Sequence, residues 1–133
     1  MPRPDVEQWQ TIDDEACLGA IEVIEAVGKR WNGGILLALA RGAERFSDIM
    51  AVVRGLSSRL LAVRLRELEH AGLVDRVVVH TMPVSVRYQL TAQGRDLLGA
   101  LQPIAGYAAR WRVAPTHPDA APRTDADVAS EPR

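Results

Sequence analysis

Arg59 and Arg66 stand seven residues apart in the run Ser57-Ser58-Arg59-Leu60-Leu61-Ala62-Val63-Arg64-Leu65-Arg66. In a helix that spacing puts both on one face, two turns apart. A guanidinium there can pair bidentately with guanine O6 and N7, worth roughly 1 to 3 kcal/mol of discrimination between bases. Ala62 and Val63 share the face and are limited to meeting a thymine methyl. Ser58 sits beside them, and Ser57 reads at least as well as a plain helix N-cap. Arg64 lies nearer the apolar side, which suits packing or a salt bridge. Upstream, Arg41, Arg45 and Arg54 flank another short helical stretch; arginine is suited to bidentate contacts with phosphate, though exposed ones are usually just solvated. Downstream, Arg87 alternates with Val86 and Tyr88 and suits the nucleic-acid backbone or minor groove.

A second chemistry is available at Cys17, the one cysteine of the chain. A single thiol cannot close an intrachain bridge, which fits a reducing compartment and leaves crosslinking to a second chain or a small thiol. In the first turn of a helix the dipole favours a thiolate, while the acidic run Asp13-Asp14-Glu15 opposes one. A small buried apolar residue is the alternative reading. His70, His80 and His117 are too scattered for a zinc site, so no metal is expected. No phosphate-binding glycine loop, nucleophile elbow or catalytic pair is present either, so neither an enzyme nor a cofactor is expected. Trp9, Trp31 and Trp111 suit the core or a dimer contact, or the walls of a cavity for a small apolar ligand.

The 133 residues allow one ordinary domain. At 47% hydrophobic and 25% charged, the composition is that of a globular protein and excludes general disorder, collagen and a disulfide scaffold. No apolar run reaches the roughly 18 to 20 residues that span a bilayer, and the first residues lack a secretory h-region, so a cytoplasmic location with no membrane contact is expected. The formal net charge of -1 hides a segregation. Residues 1 to 28 carry one base against seven acids, residues 29 to 111 twelve bases against six, and residues 112 to 133 three against four. A basic middle attracts a polyanion if its charge lies on one face. Fifteen of the sixteen bases are arginine, the residue suited to bidentate contacts with phosphate and guanine.

These side chains need elements to hold them. Residues 1–12 read as an extended arm, 13–112 as the folded domain, and 113–133, with four prolines and few bulky apolar residues, as a disordered tail. Leu18, Ile21, Ile24 and Val27 predict a first helix that Gly28 ends. Trp31 through Ala40 predicts a second, central one, stopped by Gly42. Phe46, Ile49, Met50 and Val53 predict a short third helix closed by Gly55. The fourth runs from Ser57 to Ala71 with Gly72 as its stop, burying Leu61, Leu65 and Leu68. Val74 to His80 and Ser85 to Leu90 predict a hairpin, and Thr91 caps a last helix that Pro103 should kink or divide. Helices followed by a two-stranded hairpin are the order of a winged helix-turn-helix: mainly α with a small β-hairpin, the fourth helix entering the major groove and the hairpin forming the wing.

Residues 28–31 (Gly-Lys-Arg-Trp), 45–49 (Arg-Phe-Ser-Asp-Ile), 55–61 (Gly-Leu-Ser-Ser-Arg-Leu-Leu), 64–69 with Gly72-Leu73-Val74, and Val86 to Thr91 with Gly94 follow in unbroken order over about residues 17 to 111. Together they resemble the HxlR-type family of transcription regulators, relatives of the MarR group. The resemblance implies a homodimeric, sequence-specific DNA-binding regulator without enzymatic activity. It also implies that a cysteine at the start of the first helix, here Cys17, can serve as a redox or electrophile sensor. With no second cysteine, such sensing needs a Cys17 to Cys17 bridge between subunits or S-thiolation. The expected protein is a repressor on pseudo-palindromic double-stranded DNA, its fourth helices set ~34 Å apart, dimerising through the first and last helices and released by an oxidant or a small ligand. A protein-interaction module, or a small-ligand-binding protein without DNA affinity, is the alternative.

Overall fold

Capping side chains and left-handed glycines set most element boundaries in the computed structural model, which describes residues 6–115. Helix α1 spans Glu7–Thr11. Helix α2 (Asp14–Gly28) starts where the Asp13 carboxylate accepts the Ala16 N–H at 2.8 Å, with Asp14 and Glu15 at its positive end. Helix α3 (Asn32–Ala40) is followed by Gly42 at φ 110°. The N–H of Arg45 donates to the Asp48 carboxylate at the start of α4 (Phe46–Val52), and Gly55 at φ 83° follows that helix. Helix α5 (Ser58–His70) opens on the Ser57 hydroxyl, which accepts the Leu60 N–H at 3.1 Å, and Gly72 at φ 80° turns the chain out of it. Strands β1 (Val74–Val79) and β2 (Ser85–Leu90) pair antiparallel, with Val74 opposite Leu90 and Val79 opposite Ser85. Helix α6 (Ala92–Arg110) is capped by Thr91, whose hydroxyl accepts the Gly94 N–H at 2.9 Å. The architecture is mainly α with one small hairpin, as the order of periodicities predicts.

The chain divides into two compact units, residues 1–33 and 34–133. In the first, neither α1 nor α2 contains a buried residue. Its buried polar group is Asn32, whose Nδ2 donates to the Ala26 carbonyl at 2.8 Å. Beside it Trp31 adopts φ 79° with the Arg30 guanidinium 4.8 Å above its ring. The second unit holds the core: Ile35, Leu36, Ala38 and Leu39 of α3, Ile49 of α4, Leu61, Leu65 and Leu68 of α5, and Leu73 and Val74 at the entry to β1. The base of the hairpin is tied tightly. The Thr91 N–H donates to Leu73 O at 3.0 Å and its hydroxyl to Gly72 O at 2.6 Å.

Several expectations are corrected. Within the arm read as extended over 1–12, residues 7–11 form a helical turn, and 1–5 lie outside the described residues. Pro103 does not divide α6; it removes one backbone bond, and the residue four positions earlier is Gly99, with open space around it. Trp9 and Trp111 are exposed and do not belong to the core. Of the tail, 113–115 are exposed and irregular, and 116–133 lie outside the described residues.

Gly94 is buried where α6 passes the end of α5, and a Cβ there would lie 2.1 Å from the Leu73 carbonyl oxygen. Backbone cannot give way as a side-chain end can. Gly94→Ala is expected to lower the free energy of urea unfolding by about 2 kcal/mol. Gly99→Ala in the same helix, with nothing within 4 Å, is expected to raise it by about 0.5 to 1 kcal/mol.

Candidate nucleic-acid interface

Helix α5 presents two unlike sides because its sequence alternates them at the helical period. Leu61, Leu65 and Leu68 are all but fully buried. On the opposite side Ser58, Arg59, Val63 and Arg66 are exposed and Ala62 is half-buried. At 100° per residue Arg59, Ala62, Val63 and Arg66 fall within about 100° of arc, so the structure brings them together as one strip. Among the described residues neither Arg59 nor Arg66 makes an ion pair. Both guanidinium groups keep their full donor set for an outside acceptor. Ser57 sits at the helix entry with its hydroxyl committed to the cap. Arg64 is largely covered and pairs with Glu67 at 3.1 Å, the salt-bridge role read for it from sequence.

The remaining candidates are placed around this strip less evenly. Arg41 and Arg45 are exposed at either end of the segment linking α3 to α4. Arg54, half-buried, follows α4. Arg87 on β2 is half-exposed, but its guanidinium is bonded to the carboxylate of Glu44, from the same α3–α4 segment. Glu44 was not visible as a site residue, because nothing local in the sequence couples positions 43 apart. A hollow of about 330 Å³ on the outer side of α5 is bordered by Val63, Arg66, Glu67 and His70 and is open along much of its rim. Cys17 lies in the other unit, half-buried in the first turn of α2, as a free thiol. Among the described residues no group of three or more His, Cys, Asp or Glu is arranged to hold a metal ion, and no helix is long and apolar enough to cross a membrane.

Residues 26–115 match the HxlR-like helix-turn-helix family. YvaP of Bacillus subtilis, described as an uncharacterized HTH-type transcriptional regulator, is 39% identical over 97 residues, which span 73% of this chain and 90% of that protein. The HTH-type transcriptional regulator YodB of the same organism is 40% identical over 82 residues, 62% of this chain and 73% of its own length. The crystal structure of diamide-treated YodB superposes with a TM-score of 0.61 at 33% identity, covering 76% of this chain and 96% of that one. The redox regulator HypR in its reduced form superposes with a TM-score of 0.65 at 28% identity, covering 71% and 94%.

The cap at Ser57 is separable from whatever the outer strip contacts. Ser57→Ala is expected to cost about 1 kcal/mol of stability through the unsatisfied Leu60 N–H, measured by chemical denaturation, while Ser58→Ala stays within about 0.5 kcal/mol of the parent.

Proposed function

As the chain belongs to the HxlR-like helix-turn-helix family and is a DNA-binding transcription regulator, we propose that it is a homodimeric repressor of a pseudo-palindromic operator. It works in the cytoplasm, where its DNA is, and catalyses no reaction. The observation that carries this reading is the division of α5 into a buried leucine side and an outer strip with two unpaired arginines. Laid in the major groove, Arg59 and Arg66 address guanine edges, and Ser58, Ala62 and Val63 fill the space between. Arg41 and Arg45 suit phosphates to either side, which position the protein without reading sequence.

Dimerisation is supported by apolar surface that one chain leaves in water. Leu18 and Ile24 of α2 are 63% and 62% exposed, and Ile104 and Trp111 at the far end of α6 are 57% and 68% exposed. Side chains of this size at helical spacing on two helices suit a second copy of the same chain. Two α5 helices set ~34 Å apart then match successive major grooves on one side of the duplex.

Control by oxidants or electrophiles at Cys17 is supported by its position, free and half-buried in the first turn of α2. It is supported too by the likeness to YodB, crystallised after diamide treatment, and to the redox regulator HypR. In the disulfide form two Cys17 thiols, one from each subunit, join as their two electrons and two protons pass to the oxidant. In the mixed form the partner is a small thiol.

Selection of binding sites from randomised duplexes, followed by titration between about 50 and 200 mM salt, tests the DNA reading. Arg59→Ala and Arg66→Ala are each expected to cost about 1 to 3 kcal/mol and to relax preference at one base pair per half-site. Recovery of no sequence, together with affinity indifferent to salt, sinks the proposal. For the switch, diamide is expected to release the wild type from the selected site and to leave Cys17→Ser bound. A variant that lets go as readily as the parent removes Cys17 from that role.

A further inference from the structure

Of the two arginines on the hairpin, Arg76 on β1 and Arg87 on β2, the second is already engaged within the chain. Arg87 Nη1 is bonded to a Glu44 carboxylate oxygen. Glu44 is held at that place by its backbone as well, since the N–H of Tyr88, the next residue along β2, donates to Glu44 O at 2.6 Å. The carboxylate is therefore brought to Arg87 by a main-chain bond that does not depend on the ion pair. Both side chains face water, 40% exposed for Arg87 and 54% for Glu44, and an exposed pair of this kind adds little to stability. Two further candidate phosphate ligands, Arg41 and Arg45, flank Glu44 in the same segment. Across the hairpin the residue opposite Arg87 is Val77, which offers it no charge. A carboxylate satisfies a guanidinium with the same two-oxygen geometry as a phosphate.

We infer that Glu44 stands in for a DNA phosphate at Arg87, withholding one cationic contact from the duplex and so lowering affinity, and its dependence on salt, for DNA of any sequence. The inference rests on the DNA reading above. Non-specific affinity comes almost wholly from phosphate neutralisation, whereas the base-reading strip on α5 does not include Arg87. An acid that cancels a wing arginine therefore lowers affinity for any DNA while leaving base contacts intact. Glu44 in this sense sets the strength of DNA binding without reading a base.

The test uses the full chain and a labelled duplex of random sequence, with affinity measured by fluorescence anisotropy between about 50 and 200 mM salt. Glu44→Gln keeps the side-chain shape and the backbone bond to Tyr88. It is expected to bind this duplex more tightly at low salt and to steepen the slope of log affinity against log salt by about 0.9, which is about 3.5-fold more loss across that range. Glu44→Ala, which removes the carboxylate by another route, is expected to steepen it equally. In Glu44→Gln/Arg87→Gln the added slope is expected to vanish, because the released cation is gone. The inference is overturned if both single variants keep the parental slope, or if the double variant retains the gain. A wild type showing no salt-dependent binding fails the DNA reading itself and takes this inference with it; a wild type that binds while Glu44→Gln matches it fails this inference alone.

Discussion

The direction in which α5 shows its arginines follows from a packing requirement on its other side, where Leu61, Leu65 and Leu68 fill the core with Ile35, Leu36 and Ile49. Burying each leucine is worth about 1.5 to 3 kcal/mol, so rotating the helix by one residue's arc would expose much of that surface and push charge toward the interior. No polar contact on the outer side is needed to hold Arg59 and Arg66 outward. The glycines at 55 and 72 and the cap at Ser57 only mark where the helix begins and ends.

The first unit is organised differently. Its helices bury nothing in the single chain, and apolar residues at helical spacing are left open to solvent. At the end of that unit the chain departs from relaxed geometry: Trp31 takes a left-handed conformation that a bulky residue seldom adopts, and the Oδ1 of Asn32 is buried with no hydrogen-bond partner. Each such feature costs on the order of 1 to 3 kcal/mol, and they fall on consecutive residues. Among the described residues of the second unit no comparable pair occurs in the core, where the buried groups are apolar.

Local signals were legible from sequence alone. Ser57 and Thr91 as caps, Gly28, Gly42, Gly55 and Gly72 as stops, and the leucine side of α5 all express short-range rules, and each was found where its residue type placed it. The pairing of Arg64 was readable for the same reason, since its partner Glu67 is three residues away. What escaped was whatever joins distant stretches. Glu44 meets Arg87 across 43 positions, and Gly94 is required by a carbonyl at Leu73 that no periodicity announces. The helical turn at Glu7–Thr11 escaped because five residues are too few to show a period. The helix α6 runs through Pro103 undivided, and Trp9 and Trp111 show that large aromatic residues need not lie inside when one chain is considered alone.

The knot of Thr91 with Gly72 and Leu73 closes the hairpin at its root, so the chain enters and leaves the wing at fixed points. Farther out, β2 is held again where the Tyr88 N–H donates to Glu44 O, so what lies beyond both ties is the tip of the hairpin. The wing can therefore change in length or composition at its tip, around Thr81 to Val84, without disturbing where α6 starts or how α5 is seated. Closure entropy grows only slowly with added residues, so the thermodynamic barrier to such variation is low. The tip can thus be lengthened or shortened while the residues that seat the hairpin stay where they are.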